Sequence, residues 1–161
     1  MRVVQFGEGV FLRGFADWMF HRLNHETGAD IHVTLVQPRN SDGVARLMAQ
    51  GGRYTVAQQG LVDGEEQSQR FVVDCIDSGL NTHQEPDRFA ELGRDDDVRV
   101  VLSNTTEAGI AWSDDDAVFG SDRARVRSFP GKLTWFLAER HAALPDAETL
   151  FVLPCELIAD N

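Results

Sequence analysis

The sequence predicts an α/β domain with a mostly parallel sheet, helices on both faces and an inserted antiparallel hairpin. Three observations carry that prediction. A short apolar run, Val3-Val4-Gln5-Phe6, feeds the glycine pair Gly7-Glu8-Gly9 and then an amphipathic stretch, which reads as strand, tight turn and helix. Ile31-His32-Val33-Thr34-Leu35-Val36 follows as a β-branched run of the kind parallel sheets bury on both faces, closing one βαβ unit. Val98-Arg99-Val100-Val101-Leu102-Ser103 is a further strand of the same character, and a polar cluster follows it.

The glycine turn organises the rest. Two glycines separated by one residue let the main chain turn sharply and present bare N–H groups, while the following helix aims its positive dipole end at the same place, which suits a phosphate. The full dinucleotide fingerprint also wants a small residue five positions after the first glycine, where this chain has Leu12. On these residues alone the turn fits a nucleotide loop and an ordinary βα turn equally well.

After the turn, Phe11, Phe15, Trp18, Met19, Arg22 and Leu23 keep helical spacing and predict one packing helix, with Asp17, His21 and Asn24 toward its other side. Gly28 ends it. The second strand leads into Gln37-Pro38-Arg39-Asn40, where a nucleotide-binding unit would carry an acid for the ribose hydroxyls, so Arg39 leaves a 2'-phosphate open. Residues 42 to 51 predict a short helix. Tyr54-Thr55-Val56-Ala57 and Phe71-Val72-Val73-Asp74-Cys75-Ile76 predict a hairpin with Asp63-Gly64 in its turn. A short helix is expected over residues 86 to 92.

Beyond the strand at 98 to 103, Ser103-Asn104-Thr105-Thr106-Glu107-Ala108-Gly109-Ile110 stands where doubly wound sheets bind ligands, and it fits a helix-capping loop as well. Ser128-Phe129-Pro130 starts a helix, with Ser128 as cap and Pro130 in the first turn; Leu133, Phe136, Leu137 and Arg140 continue its period. Pro145 ends it, and Leu150-Phe151-Val152-Leu153 predicts a final buried strand.

The 161 residues are one domain's worth. A formal charge of −11 opposes binding to nucleic acid or anionic lipid, both of which need basic patches, and no apolar run spans a bilayer. Cytoplasm is the expected compartment. Cys75 and Cys155 read as small core residues rather than a disulfide framework, and the acids at 95 to 97 and 114 to 116 as solvated loops. His21, His25, His32, His83 and His141 show no metal-ligand spacing with a carboxylate or cysteine, so no metal is expected.

Four blocks in order carry a resemblance. Gln5-Phe6-Gly7-Glu8-Gly9 with Phe11-Leu12-Arg13-Gly14-Phe15, Ser103 through Ile110, Ser128-Phe129-Pro130-Gly131-Lys132-Leu133-Thr134, and Leu153-Pro154-Cys155-Glu156-Leu157-Ile158-Ala159-Asp160-Asn161 resemble the tagaturonate reductase (altronate oxidoreductase) branch of the mannitol dehydrogenase family. The resemblance implies a Rossmann-like domain over residues 1–161 that binds NAD(H), with NADP not excluded, in a zinc-independent dehydrogenase acting on a sugar acid or polyol. It implies cofactor contacts from Phe6, Gly7, Gly9, Val10, Phe11, Arg13, Gln37, Ser103, Asn104, Thr105 and Glu107, and a substrate-orienting role for Asn161. The catalytic lysine of the family belongs to a C-terminal helical domain expected to be absent from this chain, so Lys132 is not assigned a catalytic role. The sugar-acid substrate would bind only with that domain, and the face it would cover is expected to be apolar and open to self-association. Competing readings are a noncatalytic nucleotide-binding fragment or assembly module and, on the glycine turn alone, a Rossmann-like methyltransferase.

Overall fold

In chain order the elements are β1 (Arg2–Phe6), α1 (Val10–Gly14), α2 (Ala16–Thr27), β2 (His32–Gln37), α3 (Gly43–Ala49), β3 (Tyr54–Val62), β4 (Glu65–Val73), β5 (Ile76–Asn81), α4 (Pro86–Gly93), β6 (Val98–Ser103), α5 (Phe129–Ala143) and β7 (Phe151–Pro154). The structure, a computed structural model, describes residues 1–37, 42–111, 113–117 and 126–158, without the side chains of 115 and 117.

β1 lies at the centre of a five-stranded parallel sheet of order β5-β2-β1-β6-β7. Successive side chains of a strand point to opposite faces, and both faces here are covered. Val4 and Phe6 enter the core with Phe89 of α4 and Trp135 and Phe136 of α5. Val3 enters the other core, with Leu12 of α1, Ala16 of α2 and Leu47 of α3. The aromatic layer packs edge to face, with Phe6 centred 5.2 Å from Phe129 and Phe89 4.9 Å from Trp135. The α/β class, the parallel sheet and the separate hairpin expected from the sequence are all present.

The hairpin runs longer than the apolar pattern suggests. β3 and β4 pair over nine residues each, joined by Asp63 (φ 54°) and Gly64 (φ 84°), two successive left-handed residues that match the twist of a two-residue turn. They form their own two-stranded sheet. Its base packs against the domain, through Tyr54, Val56 and Val73 and through Phe71, whose ring meets Trp18 edge-on at 5.9 Å.

Four expectations need correction. The helix after the turn is two helices, broken at Phe15 (φ −116°, ψ −72°). Its buried side is also the opposite one: Leu12, Ala16 and Asp17 face the sheet, while Phe11, Phe15, Met19 and Leu23 are exposed. Ile76 does not end a hairpin strand but begins β5, a parallel strand beside β2 that carries Asp77, Ser78, Gly79 and Asn81 and so lacks a β-branched signature. β7 starts one residue late, pairs among the described residues only with β6, at the edge of the sheet, and is exposed along its length rather than buried. The cap at Ser128 holds, its Oγ accepting the Gly131 N–H at 3.0 Å.

Candidate functional site

β1, β2 and β6 end level with one another, since Phe6 stands opposite Val36 on one side and Ser103 on the other. The residues leaving these three ends therefore meet at one carboxyl edge of the sheet, the place where open α/β sheets bind ligands. Gly7 (φ +107°) makes the turn, with its N–H donating to the Val36 carbonyl at 3.0 Å. A side chain at that φ would be strained. Gly9 is ordinary extended backbone (φ −63°, ψ 156°), and a Cβ built on it would meet no atom within 4 Å. The fold therefore does not itself require glycine at position 9.

Gln5 buttresses the turn from inside. Fully buried, it donates from Nε2 to the Gly7 carbonyl at 3.1 Å and to Asp17 Oδ2 at 3.4 Å. Asp17 is buried too, and burial raises its carboxyl to about 7 against the lowering pull of Gln5, Tyr54 and Arg13. Glu8 reaches from the turn to α3, its carboxylate lying so close to Gly43 that any Cβ there would collide with it. Nothing in the local sequence pattern of Gly43 signals that approach.

The residues nominated by the sequence divide into groups. Gly7, Gly9, Gln37, Ser103, Asn104 and Thr105 gather at the carboxyl edge. The Gln37 side chain is engaged in structure, its Oε1 accepting the Val44 N–H at 2.9 Å to hold the start of α3. Ser103 accepts the Cys155 N–H on its carbonyl at 2.8 Å; Asn104 Nδ2 donates to the Cys155 carbonyl at 2.6 Å; Thr105 N–H donates to Glu156 Oε1 at 3.1 Å. The two polar blocks at 103–105 and 155–156 are thus laced together. Val10, Phe11 and Glu107 are exposed. Phe6 and Arg13 turn away: the Phe6 ring fills the core, and the Arg13 guanidinium lies over the Tyr54 ring, 5.4 Å from its centroid. Pro38, Arg39, Asn40 and Asn161 lie outside the described residues.

Two polar clusters depart from expectation. Asp116 is not solvated but 3% exposed, accepting the Arg127 and Ser128 N–H groups at 2.7 and 3.0 Å. Beside it Lys132 is 1% exposed, donating from Nζ to the Arg127 carbonyl at 3.0 Å and lying 3.2 Å from His83 Nε2. Burial brings the lysine down to about 8 although Asp116 pulls it up. The second departure is that His21 and His25 do share a carboxylate partner, Asp74, at 2.8 and 3.3 Å. Its separation in sequence hid it. Both cysteines are free, with Cys75 buried as expected and Cys155 partly exposed. Among the described residues no helix is long and apolar enough to cross a membrane.

A family model described as the mannitol dehydrogenase Rossmann domain matches residues 1–161. The altronate oxidoreductases of Bacillus subtilis (strain 168) and Bacteroides thetaiotaomicron are each 40% identical over 162 aligned positions, covering 99% of this chain. The chain spans about a third of the length of these relatives, 33% of each. Among solved structures, Pseudomonas fluorescens mannitol 2-dehydrogenase in ternary complex with NAD and D-mannitol superposes with a TM-score of 0.75 at 20% identity, over 97% of this chain and 33% of that one. A D-sorbitol dehydrogenase in substrate-free form gives 0.74 at 18%, over 97% and 34%. At those identities the likeness concerns the fold.

Proposed function

The chain belongs to the mannitol dehydrogenase family, and from that premise we propose that residues 1–161 are the NAD(H)-binding domain of an oxidoreductase that moves hydride between the nicotinamide and a sugar acid or polyol. The observation that carries the reading is the convergence of the left-handed Gly7 turn with the ends of β2 and β6, beside a Gly9 that the fold leaves free of neighbours. Such a gap lets a pyrophosphate come close to the main chain, which is the reason a ligand, rather than the fold, would demand glycine there.

When bound, the nicotinamide supplies or accepts the hydride, while the protein binds and orients it. Gly7 makes the turn with its N–H given to the Val36 carbonyl, and Gly9 leaves the main chain open to close approach, with Val10 and Phe11 at the mouth of the same turn. Gln5 keeps the turn from relaxing by holding the Gly7 carbonyl. Phe6 contributes through its main chain, since its ring is committed to the core. Gln37 ends β2 without a negative charge, so a 2'-phosphate meets no repulsion from that residue. Asn104 and Thr105, held by the 155–156 segment, border the nicotinamide half, with Glu107 at its rim.

The relatives' name, altronate oxidoreductase, points to an altronate type of substrate, and on the family resemblance most of the substrate contacts and the catalytic lysine would come from a helical domain other than residues 1–161. Asn161 would orient a substrate oxygen at that junction. The isolated chain would then turn over little, because an unpositioned carbonyl and an unstabilised oxyanion forfeit several kcal/mol of barrier lowering. We keep the cytoplasm as the compartment and exclude nucleic acid and membrane as partners on the charge of −11.

Titration of the folded chain with NADH and NADPH, read by nicotinamide fluorescence, tests the proposal. Saturable one-to-one binding is expected, and the ratio of the two affinities fixes the cofactor. Absence of binding by a chain shown to be folded overturns it. Measurable tagaturonate reduction by this chain alone would contradict the assignment of the lysine to another domain.

A further inference from the structure

His21 and His25 lie one turn apart on α2, so both rings stand on one side of the helix, with centroids 4.4 Å apart. Asp74 occupies the two-residue break between β4 and β5 and faces both. His21 Nδ1 is 2.8 Å from Asp74 Oδ1, and His25 Nε2 is 3.3 Å from each carboxylate oxygen. One donor atom from each residue lies within 4.8 Å of the other two. Atoms that share one ion are spaced in this way: with bonds of about 2.0–2.1 Å, two nitrogens on a tetrahedral zinc stand roughly 3.4 Å apart.

We propose that His21, His25 and Asp74 form a binding site for a divalent transition-metal ion of the zinc class, with water completing the coordination. Two imidazoles and one carboxylate make a borderline donor set, which favours zinc, nickel, cobalt or copper over magnesium and calcium. The side chains are graded in exposure, His21 at 12%, Asp74 at 34% and His25 at 58%, so the site has a fixed inner wall and an open outer side for water.

The site's place in the fold says what an ion there would do. α2 leads into β2, whose first residue, His32, donates its N–H to the Met1 carbonyl at the amino end of β1, so the last turns of α2 lie away from the glycine turn. Asp74 is two residues ahead of Ile76, which starts β5 at the same amino edge beside Val33. A bound ion would therefore tie α2 to the foot of the hairpin and the entry of β5, without touching the cofactor edge. It acts as a structural clasp. The open coordination positions face solvent, away from the carboxyl edge proposed to hold the nicotinamide.

The test is calorimetric titration of the metal-free chain with Zn²⁺, backed by the visible spectrum of the Co²⁺-substituted protein. One equivalent is expected, with a higher unfolding temperature in Zn²⁺ because only the folded chain assembles the three ligands. His25→Ala and Asp74→Asn should each weaken Zn²⁺ binding by about tenfold or more and abolish the thermal shift, while His25, being largely exposed, can be truncated without loss of fold. His32→Ala is the control, since His32 forms a separate pair with Asp30 and Asp77. NADH affinity should be the same with and without Zn²⁺. No Zn²⁺ binding, binding undiminished in His25→Ala and Asp74→Asn, or binding weakened only by His32→Ala each overturns the proposal. None of these readouts depends on the chain being a dehydrogenase.

Discussion

The Tyr54 hydroxyl lies 3.1 Å from Asp17 Oδ2 and 2.8 Å from the Arg13 carbonyl, so its single hydrogen has two acceptors while the aspartate is charged. A protonated Asp17 resolves the competition: its own hydrogen goes to the tyrosine oxygen, and the tyrosine hydrogen goes to the carbonyl. Burial drives Asp17 toward that protonated form, raising it from 3.8 to about 7 against the lowering pull of the Gln5 and Tyr54 hydrogen bonds. A raised folded-state value means that the folded chain holds the proton more tightly than the unfolded one. The associated stability is complete below about pH 4 and is lost as pH rises through 7, in total on the order of 4 kcal/mol. Urea unfolding should show the midpoint falling between about pH 4 and pH 7, and Asp17→Asn, which cannot ionise, should flatten that slope. An unchanged slope in the variant would refute the assignment.

Asp116 accepts two consecutive main-chain N–H groups, from Arg127 and Ser128, at the entry to α5. Truncating it orphans both donors and removes the negative charge beside buried Lys132. Asp116→Ala is expected to cost about 2–4 kcal/mol in urea unfolding. The variant should also let Lys132 fall further below its value of about 8, since Asp116 is what pulls the lysine up. Asp116→Asn, which keeps an acceptor oxygen, should recover part of the loss.

The sequence was most legible where a strand is flanked by strands. β1, β2 and β6 follow from their apolar, β-branched runs because parallel burial leaves no polar alternative. It was least legible on α1 and α2. Phe11, Phe15, Met19 and Leu23 repeat every four residues and mimic a core stripe, whereas the side that meets the sheet carries Leu12, Ala16 and a charged-looking Asp17. Only the distant partners Gln5 and Tyr54 make an aspartate acceptable there, and distance in sequence conceals them. Asp74 joins two histidines of α2 for the same reason: contacts between elements have no local signature. In the site, Gly7 was readable from its type, while Glu8 against Gly43 was not.

The two glycines of the turn should separate in experiment. Gly7 has φ +107°, so Gly7→Ala strains the backbone and is expected to cost about 1–3 kcal/mol of stability whether or not a ligand is present. Gly9 has φ −63° and open space around its Cβ direction, so Gly9→Val, at the cap of α1, should leave the unfolding free energy within about 1 kcal/mol of the parent. The same variant should weaken NADH binding by at least about tenfold, because the branched side chain fills the approach to the main chain. Intact NADH binding in Gly9→Val would remove position 9 from the cofactor site.

The inverted face of α1 and α2 gives a paired test of packing and association. Leu12 is 1% exposed between α1 and the sheet, so Leu12→Ala should cost about 2–4 kcal/mol through lost burial and the cavity it leaves. Phe11 and Phe15, stacked on each other at 5.3 Å but 49% and 47% exposed, should each cost less than about 1 kcal/mol as serine. Together with Met19 and Leu23 they form a continuous apolar strip, and strips of this kind are covered in a partner or by a second copy. Sedimentation of the parent chain should therefore show concentration-dependent self-association that Phe11→Ser/Phe15→Ser reduces. If Leu12→Ala were silent and the phenylalanines costly, the helix would be packed through the stripe its sequence advertises. If the double variant associated as strongly as the parent, the contact would lie elsewhere, and the exposed edge at Phe151, Val152 and Leu153 would be the next surface to alter.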